Sequence, residues 1–209
     1  MARYDAVLFD LLTALLDSWS LWNRVAGHPD AGRRWRSAYL ALTYETGAYR
    51  PYGDLVAEAA AAAGLDRSLA GRLDACYGEL APWPDVGPTL QALGQAGLPL
   101  GVVTNCSRRL GLLAARCVGA PFAAVVTAED AGFYKPDPRP YRQALAALGV
   151  APERCLFVAG SAYDLIGTAA LGMPTYWHDR IGMVRPEAVP PPLVHERTLA
   201  ALPGLCGIA

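Results

Sequence analysis

Tyr4-Asp5-Ala6-Val7-Leu8-Phe9-Asp10 is an apolar run that stops on a carboxylate, and it decides the fold. Four consecutive apolar side chains leave no polar face for solvent, so the segment is expected as a strand covered on both sides, as in parallel sheets. Outward from it, similar runs recur at Leu98–Thr104, Ala123–Val126, Arg154–Ala159 and Pro174–Trp177, with helical patterns at about 85–97, 107–117, 138–148 and 163–171 between them. Strand alternating with helix predicts an α/β fold built on a doubly wound, Rossmann-like parallel sheet. Ligands of such sheets sit at the carboxyl ends of the strands. Asp10, Thr104 with Asn105, and the stretch from Gly160-Ser161 to Asp164 all follow expected strand ends.

Residues 15–81 break this rhythm and read as helices only, at Trp19–Gly27, Ala31–Thr46, Tyr52–Gly64 and Arg67–Leu80. Gly27-His28-Pro29, Arg50-Pro51-Tyr52-Gly53 and Gly64 punctuate them. A helical block inserted after the first strand predicts a cap over the active edge of the sheet. The expected domains are a core of residues 1–14 and 82–209 and a helical cap of residues 15–81. The tail around Pro190-Pro191-Pro192 reads as extended before a last helical turn.

The chain has 209 residues, of which 53% are hydrophobic and 18% charged, enough for a buried core without staples. A net charge of -1 supplies no basic field, so no nucleic-acid partner is expected. Apolar runs such as Leu11–Leu16 fall well short of the ~20 residues that cross a bilayer, so no membrane association is expected. Arg3, Tyr4 and Asp5 interrupt any export pattern at the N-terminus, and a cytoplasmic protein is expected. Five cysteines, odd in number and without a CxxC pair, argue against a disulfide framework and a zinc site. His28, His178 and His195 have no metal-ligand spacing. Trp19, Trp22, Trp35 and Tyr39 suit either one wall of a pocket or the packing of cap helices, and packing is favoured for most.

Two residues draw attention by type. Seventeen arginines accompany a single lysine, Lys135, and arginine cannot replace a compact ammonium in a tight site. Asp10 can serve as a covalent nucleophile if a cation holds it ionised. Each alone also fits an ordinary place: a cap or turn aspartate, and a surface lysine before a helix.

Together the pieces resemble the haloacid dehalogenase superfamily over nearly the whole chain. Its first motif, an aspartate after an apolar strand, is similar to Phe9-Asp10-Leu11-Leu12-Thr13-Ala14-Leu15. Its second, a hydroxyl after another strand, is similar to Val102-Val103-Thr104-Asn105, and its lysine motif to Lys135-Pro136-Asp137-Pro138. Its fourth, an acidic strand end, resembles Phe157-Val158-Ala159-Gly160-Ser161-Ala162-Tyr163-Asp164, followed by Gly167 and Gly172-Met173-Pro174. Phosphatases of that superfamily place a second aspartate two residues after the nucleophile, where this chain has Leu12. They usually place an acidic magnesium ligand where it has Gly160. The resemblance therefore implies no metal and no cofactor.

The closer resemblance is to the (S)-2-haloacid dehalogenases. It rests on Trp35-Arg36, on Lys135 with Tyr141, and on the strand Pro174-Thr175-Tyr176-Trp177-His178-Asp179-Arg180. It implies that Asp10 attacks the halogen-bearing carbon of a small carboxylic acid and forms an ester, and that Lys135 holds Asp10 charged and pointed. Arg36 would receive the halide, and Thr104 with the amides of Leu11 and Asn105 would grip the substrate carboxylate. Asp164 would orient or activate the water that splits the ester, with Tyr141 and Ser161 completing the shell. Dimerisation through the cap is common in that family, and a homodimer is the corresponding expectation. The chain departs from the family at Leu12-Thr13-Ala14, where an aromatic residue and Gly-Thr are usual. It departs again at Ala159 and Ser161, where Ser and Asn are usual, and both departures bear on hydrolysis of the ester. The alternatives are a phosphatase of a small phosphate ester and a degenerate binder of small acids without turnover.

Overall fold

Residues 2–208 are described by a computed structural model. The opening apolar run forms β1 (Ala6–Phe9), buried along its whole length. Its alternation sends Val7 and Phe9 to one face of the sheet and Ala6 and Leu8 to the other. Beside it lie β2 (Leu100–Thr104), β3 (Ala124–Thr127), β4 (Cys155–Ala159), β5 (Thr175–His178) and β6 (Val194–Glu196). All neighbouring pairs are parallel, in the order β3-β2-β1-β4-β5-β6. Phe9 pairs with Val102 on one side and Val158 on the other. The chain winds outward from β1 in one direction and then returns to begin again at β4. The crevice beyond β1 and β4 is therefore the switch point at which such sheets bind ligands.

Helices α1 (Ser18–Ala26), α2 (Pro29–Thr46), α3 (Tyr52–Ala62) and α4 (Leu69–Ala75) occupy the insertion after β1. A bridge between Leu16 and Pro82 marks where the chain leaves the sheet and comes back. Pro29 opens α2 at its first turn, where a missing N–H costs nothing. α1 and α2 touch closely because residue 32 is glycine: a Cβ there would lie 2.4 Å from Asn23 Cα. Trp22 and Trp35 meet across this contact with ring centroids 4.5 Å apart. The apolar side chains of these helices run without a break into the Val7 and Phe9 face of the sheet.

The remaining helices are α5 (Val86–Gln95), α6 (Arg108–Cys117), α7 (Ala128–Ala131), α8 (Pro138–Leu148), α9 (Asp164–Ala169) and α10 (Leu202–Leu205). The helix expected over 67–80 is shorter: after α4 the backbone tightens into a 3-10 turn at Tyr77–Glu79. There Tyr77 turns inward, its hydroxyl 3.0 Å from that of Tyr52 and 3.2 Å from Cys106 Sγ. Strand β6 and the one-turn α7 were not anticipated. β6 carries His195 and Glu196 at an exposed edge and lacks an apolar run, while α7 is set by a capping box between Thr127 and Asp130. Cys106, Cys155 and Cys206 are buried, and all five cysteines are free thiols. No helix among the described residues is long and apolar enough to cross a membrane.

Candidate active site

Asp10 is the first residue past β1, and two local features aim its carboxylate. The chain turns sharply after it, so the amides of Thr13 and Ala14 point back at Oδ2 from 3.2 and 3.3 Å. Gly160, at the end of β4, lets that turn come close: a Cβ there would sit 2.4 Å from Ala14 N and 2.6 Å from Asp10 Oδ2.

Lys135 lies in the loop before α8 and is 4% exposed. The Asn105 side chain positions its backbone, accepting from Lys135 N at 2.7 Å and donating to Lys135 O at 3.0 Å. The ammonium reaches between two carboxylates, 2.8 Å from Asp10 Oδ1 and 3.0 Å from Asp164 Oδ1. Tyr141, buried on α8, donates to the same Asp164 oxygen at 2.8 Å.

Burial disfavours charge on all three groups, but the contacts divide their outcomes. Burial pushes the Asp10 carboxyl up, and Lys135 with the two amides outweighs it, holding Asp10 below the usual carboxylate range. Burial together with the nearby Asp10 charge leaves Asp164 above that range, despite Lys135 and Tyr141. Burial lowers Lys135, but its two carboxylates more than compensate and keep it protonated. Two carboxyls pushed apart in this way suit an ionised attacking group beside a proton acceptor.

Arg36 descends from α2 and is 2% exposed. Its guanidinium carbon stands 5.0, 5.3 and 5.8 Å from the ring centroids of Trp22, Tyr39 and Trp19. Nε and Nη1 are buried without a hydrogen-bond partner among the described residues. A buried cation with unused donors is costly unless an anion completes it.

Asp10, Arg36, Thr104, Asn105, Lys135, Ser161 and Asp164 all line one cavity of about 30 Å³. Leu11 and Tyr141 do not face it. The Leu11 side chain is buried in the core, although its amide, like that of Asn105, has no hydrogen-bond partner among the described residues. Tyr141 stands behind Asp164. Leu12, Thr13, Tyr39, Leu40 and Tyr44 also line the cavity. Tyr39 donates to Asn105 O at 2.5 Å, and the Tyr44 hydroxyl lies 2.6 Å from Ser161 Oγ. Helical spacing held the signal for Tyr39, Leu40 and Tyr44, because residues three, four and eight after Arg36 share its face. The Asn105 side chain is spent on Lys135, which leaves for a ligand its backbone amide, the group expected to meet one.

A strand-end carboxylate, a buried lysine and a second carboxylate at the switch point of a parallel sheet define a hydrolase of the α/β class. The family model of the haloacid dehalogenase-like hydrolases matches residues 4–172, and the chain belongs to that family. (S)-2-haloacid dehalogenase 4A of Burkholderia cepacia is 31% identical, the match covering 91% of this chain and 89% of that one. (S)-2-haloacid dehalogenase H-109 of Pseudomonas putida is 27% identical over 97% of each. Among solved structures, a dehalogenase with an intermediate complex superposes with a TM-score of 0.85 at 26% identity, covering 100% of both chains.

Proposed function

We propose that this hydrolase is a metal-independent (S)-2-haloacid dehalogenase, working through an ester on Asp10. The observation that carries the reading is the unpaired Arg36 guanidinium, which faces the same cavity as an ionised carboxylate. The domains we propose are a cap of residues 15–81 and a core of residues 1–14 and 82–209, with the site between them.

In the first half-reaction an Asp10 oxygen attacks C2 of the acid from the side opposite the halogen. The carbon–halogen bond breaks, its electron pair leaves with the halide, and configuration inverts. Arg36 stabilises the charge growing on the halide, where a fixed cation in a dry site contributes most. Thr104 and the amides of Leu11 and Asn105 hold the substrate carboxylate. In the second half-reaction water adds to the Asp10 carbonyl carbon while Asp164 takes its proton, and collapse breaks the bond from that carbon to the oxygen on C2, the departing alkoxide taking the proton back from Asp164 to leave as the 2-hydroxy acid. Lys135 keeps Asp10 ionised before attack, stays paired with Asp164 while Asp10 is an ester, and balances both carboxylates again once the ester is split.

Two features weigh against magnesium-dependent phosphoryl transfer. Leu12 stands where a phosphatase places its second aspartate, and the backbone at residue 160 leaves no room for an acidic side chain. The test is chloride release from (S)-2-chloropropionate and (S)-2-chlorohexanoate in EDTA, with Asp10→Asn as control. Release abolished by that substitution supports the proposal. Asp10-dependent hydrolysis of para-nitrophenyl phosphate that requires magnesium, without chloride release, would sink it, and silence in both assays would favour a binder without turnover.

A further inference from the structure

The cavity around the reacting groups, at about 30 Å³, holds a water molecule or two. An acid carrying a halogen and a carboxylate does not fit, so a wall must move to admit it. Most walls are fixed. Asp10, Lys135 and Asp164 are joined in one ion-paired cluster, and Asn105 clasps the Lys135 backbone twice. Arg36 is caged by three rings, and Tyr39 is bonded to Asn105 O. Leu40 and Tyr44 differ, because they also form the wall of an outer cavity of about 560 Å³. Tyr44 is half-buried, and two contacts hold it: the hydroxyl bond to Ser161 and a stack on Tyr163 with centroids 4.0 Å apart at 21°.

We propose that Tyr44 is the door between the two cavities, and that the outer one is a subsite for the substrate chain beyond C2. The substrates are then 2-haloacids whose apolar substituent is longer than a methyl group. This rests on the dehalogenase reading and names its substrate class. Turning the ring off Tyr163 exchanges the Ser161 bond for water and joins the inner space to the outer. The outer walls suit an alkyl or aryl chain: Trp19, Leu40, Ala41, Tyr163, Met183 and Val184 supply half of the lining residues. The volume lies in the usual range for a small-molecule site. Arg33 is the charged side chain on that wall, so the mouth attracts an incoming carboxylate.

The experiment compares kcat/KM for (S)-2-bromohexanoate and (S)-2-bromopropionate. Tyr44→Ala is expected to raise the long-to-short ratio at least tenfold, Tyr44→Phe to raise it less, and Ala41→Trp, which narrows the outer cavity, to lower it tenfold. Ratios that stay within twofold of the parent in both Tyr44→Ala and Ala41→Trp overturn the proposal. A second arm needs no turnover: calorimetric binding of hexanoate and propionate to Asp10→Asn, with and without Ala41→Trp. Hexanoate binding weakened by Ala41→Trp while propionate binding is spared supports the subsite even if no bromide is released, and only the dehalogenase reading then falls. Bromide release that never responds to chain length overturns the subsite and leaves that reading standing, and absence of both binding and release overturns both.

Discussion

The imidazole Nδ1 of His178 lies 2.8 Å from the carbonyl oxygen of Ala14, and both residues are buried. The flanking carbonyls are held as well, Thr13 O by Trp83 Nε1 at 2.8 Å and Leu15 O by Trp83 N at 3.0 Å. The bond to Thr13 O fixes the peptide plane whose other end is the Ala14 amide turned toward Asp10, and the bonds to Ala14 O and Leu15 O hold the turn that follows it. His178→Leu removes one tether and strands a buried carbonyl, so stability is expected to fall by about 1–3 kcal/mol. His178→Asn, which keeps a donor, is expected to lose less. Burial also lowers the His178 pKa. The unfolded chain therefore binds its proton first, and stability declines as pH falls below about 6.5, the unperturbed histidine value. Denaturant melts from pH 7 to 5 check this, because that slope should shrink in His178→Asn.

The two half-reactions should separate with pH. Asp10 sits below the usual carboxylate range and, in the proposed mechanism, must be ionised to attack, whereas Asp164 sits above it and would have to be ionised to accept a proton from water. As pH falls, Asp164 takes up its proton before Asp10 in the free enzyme, and in the ester, where the Asp10 charge is gone, burial remains as the cause that raises it. Halide release then survives as a single burst while turnover stops, and the ester accumulates on Asp10. Acid-quench mass spectrometry of the Asp10 peptide across pH reads this directly. An ester fraction that stays constant or shrinks toward acid would contradict the assigned order.

Arg36 should show activity and stability moving in opposite directions. Its charge is buried, with Nε and Nη1 unpartnered, so Arg36→Met removes a desolvation cost while keeping much of the contact with Trp22 and Tyr39. The expected melting temperature is unchanged or higher. The rate of halide release should fall about 10²–10³-fold, the usual loss for a donor that stabilises developing charge. Stopped-flow halide detection beside calorimetry tests both halves.

The parts of this architecture that could be read from sequence carried their signal locally. β1 is a continuous apolar run closed by Asp10, and Lys135 is the single lysine among arginines, so composition marked both. β6 could not be read that way, since its pairing depends on β5 and two of its three residues, His195 and Glu196, are polar. Tyr44 is 117 residues from Ser161, and their contact exists only once α2 crosses the loop after β4. His178 offered no spacing to read, because its partner is a backbone carbonyl rather than a side chain. Arg36 stood in a recognisable motif, but its lack of a carboxylate partner is a property of the packed cap.

On the metal-independent reading proposed above, an acidic side chain at residue 160 fails on geometry. A side chain there would place its Cβ 2.4 Å from Ala14 N, 2.6 Å from Asp10 Oδ2 and 2.8 Å from Thr13 Cβ. Backbone on one side and the reacting carboxylate on the other leave nothing flexible to yield. Gly160→Asp should therefore displace the turn that carries the Thr13 and Ala14 amides, destabilising the fold by about 1–3 kcal/mol, the usual cost of overpacking. It should also abolish halide release without producing magnesium-dependent phosphatase activity. Gly160→Ala separates the causes, because it brings the Cβ without the charge. If Gly160→Ala keeps full activity, the close approach of β4 to the Asp10 turn is not what shapes this site.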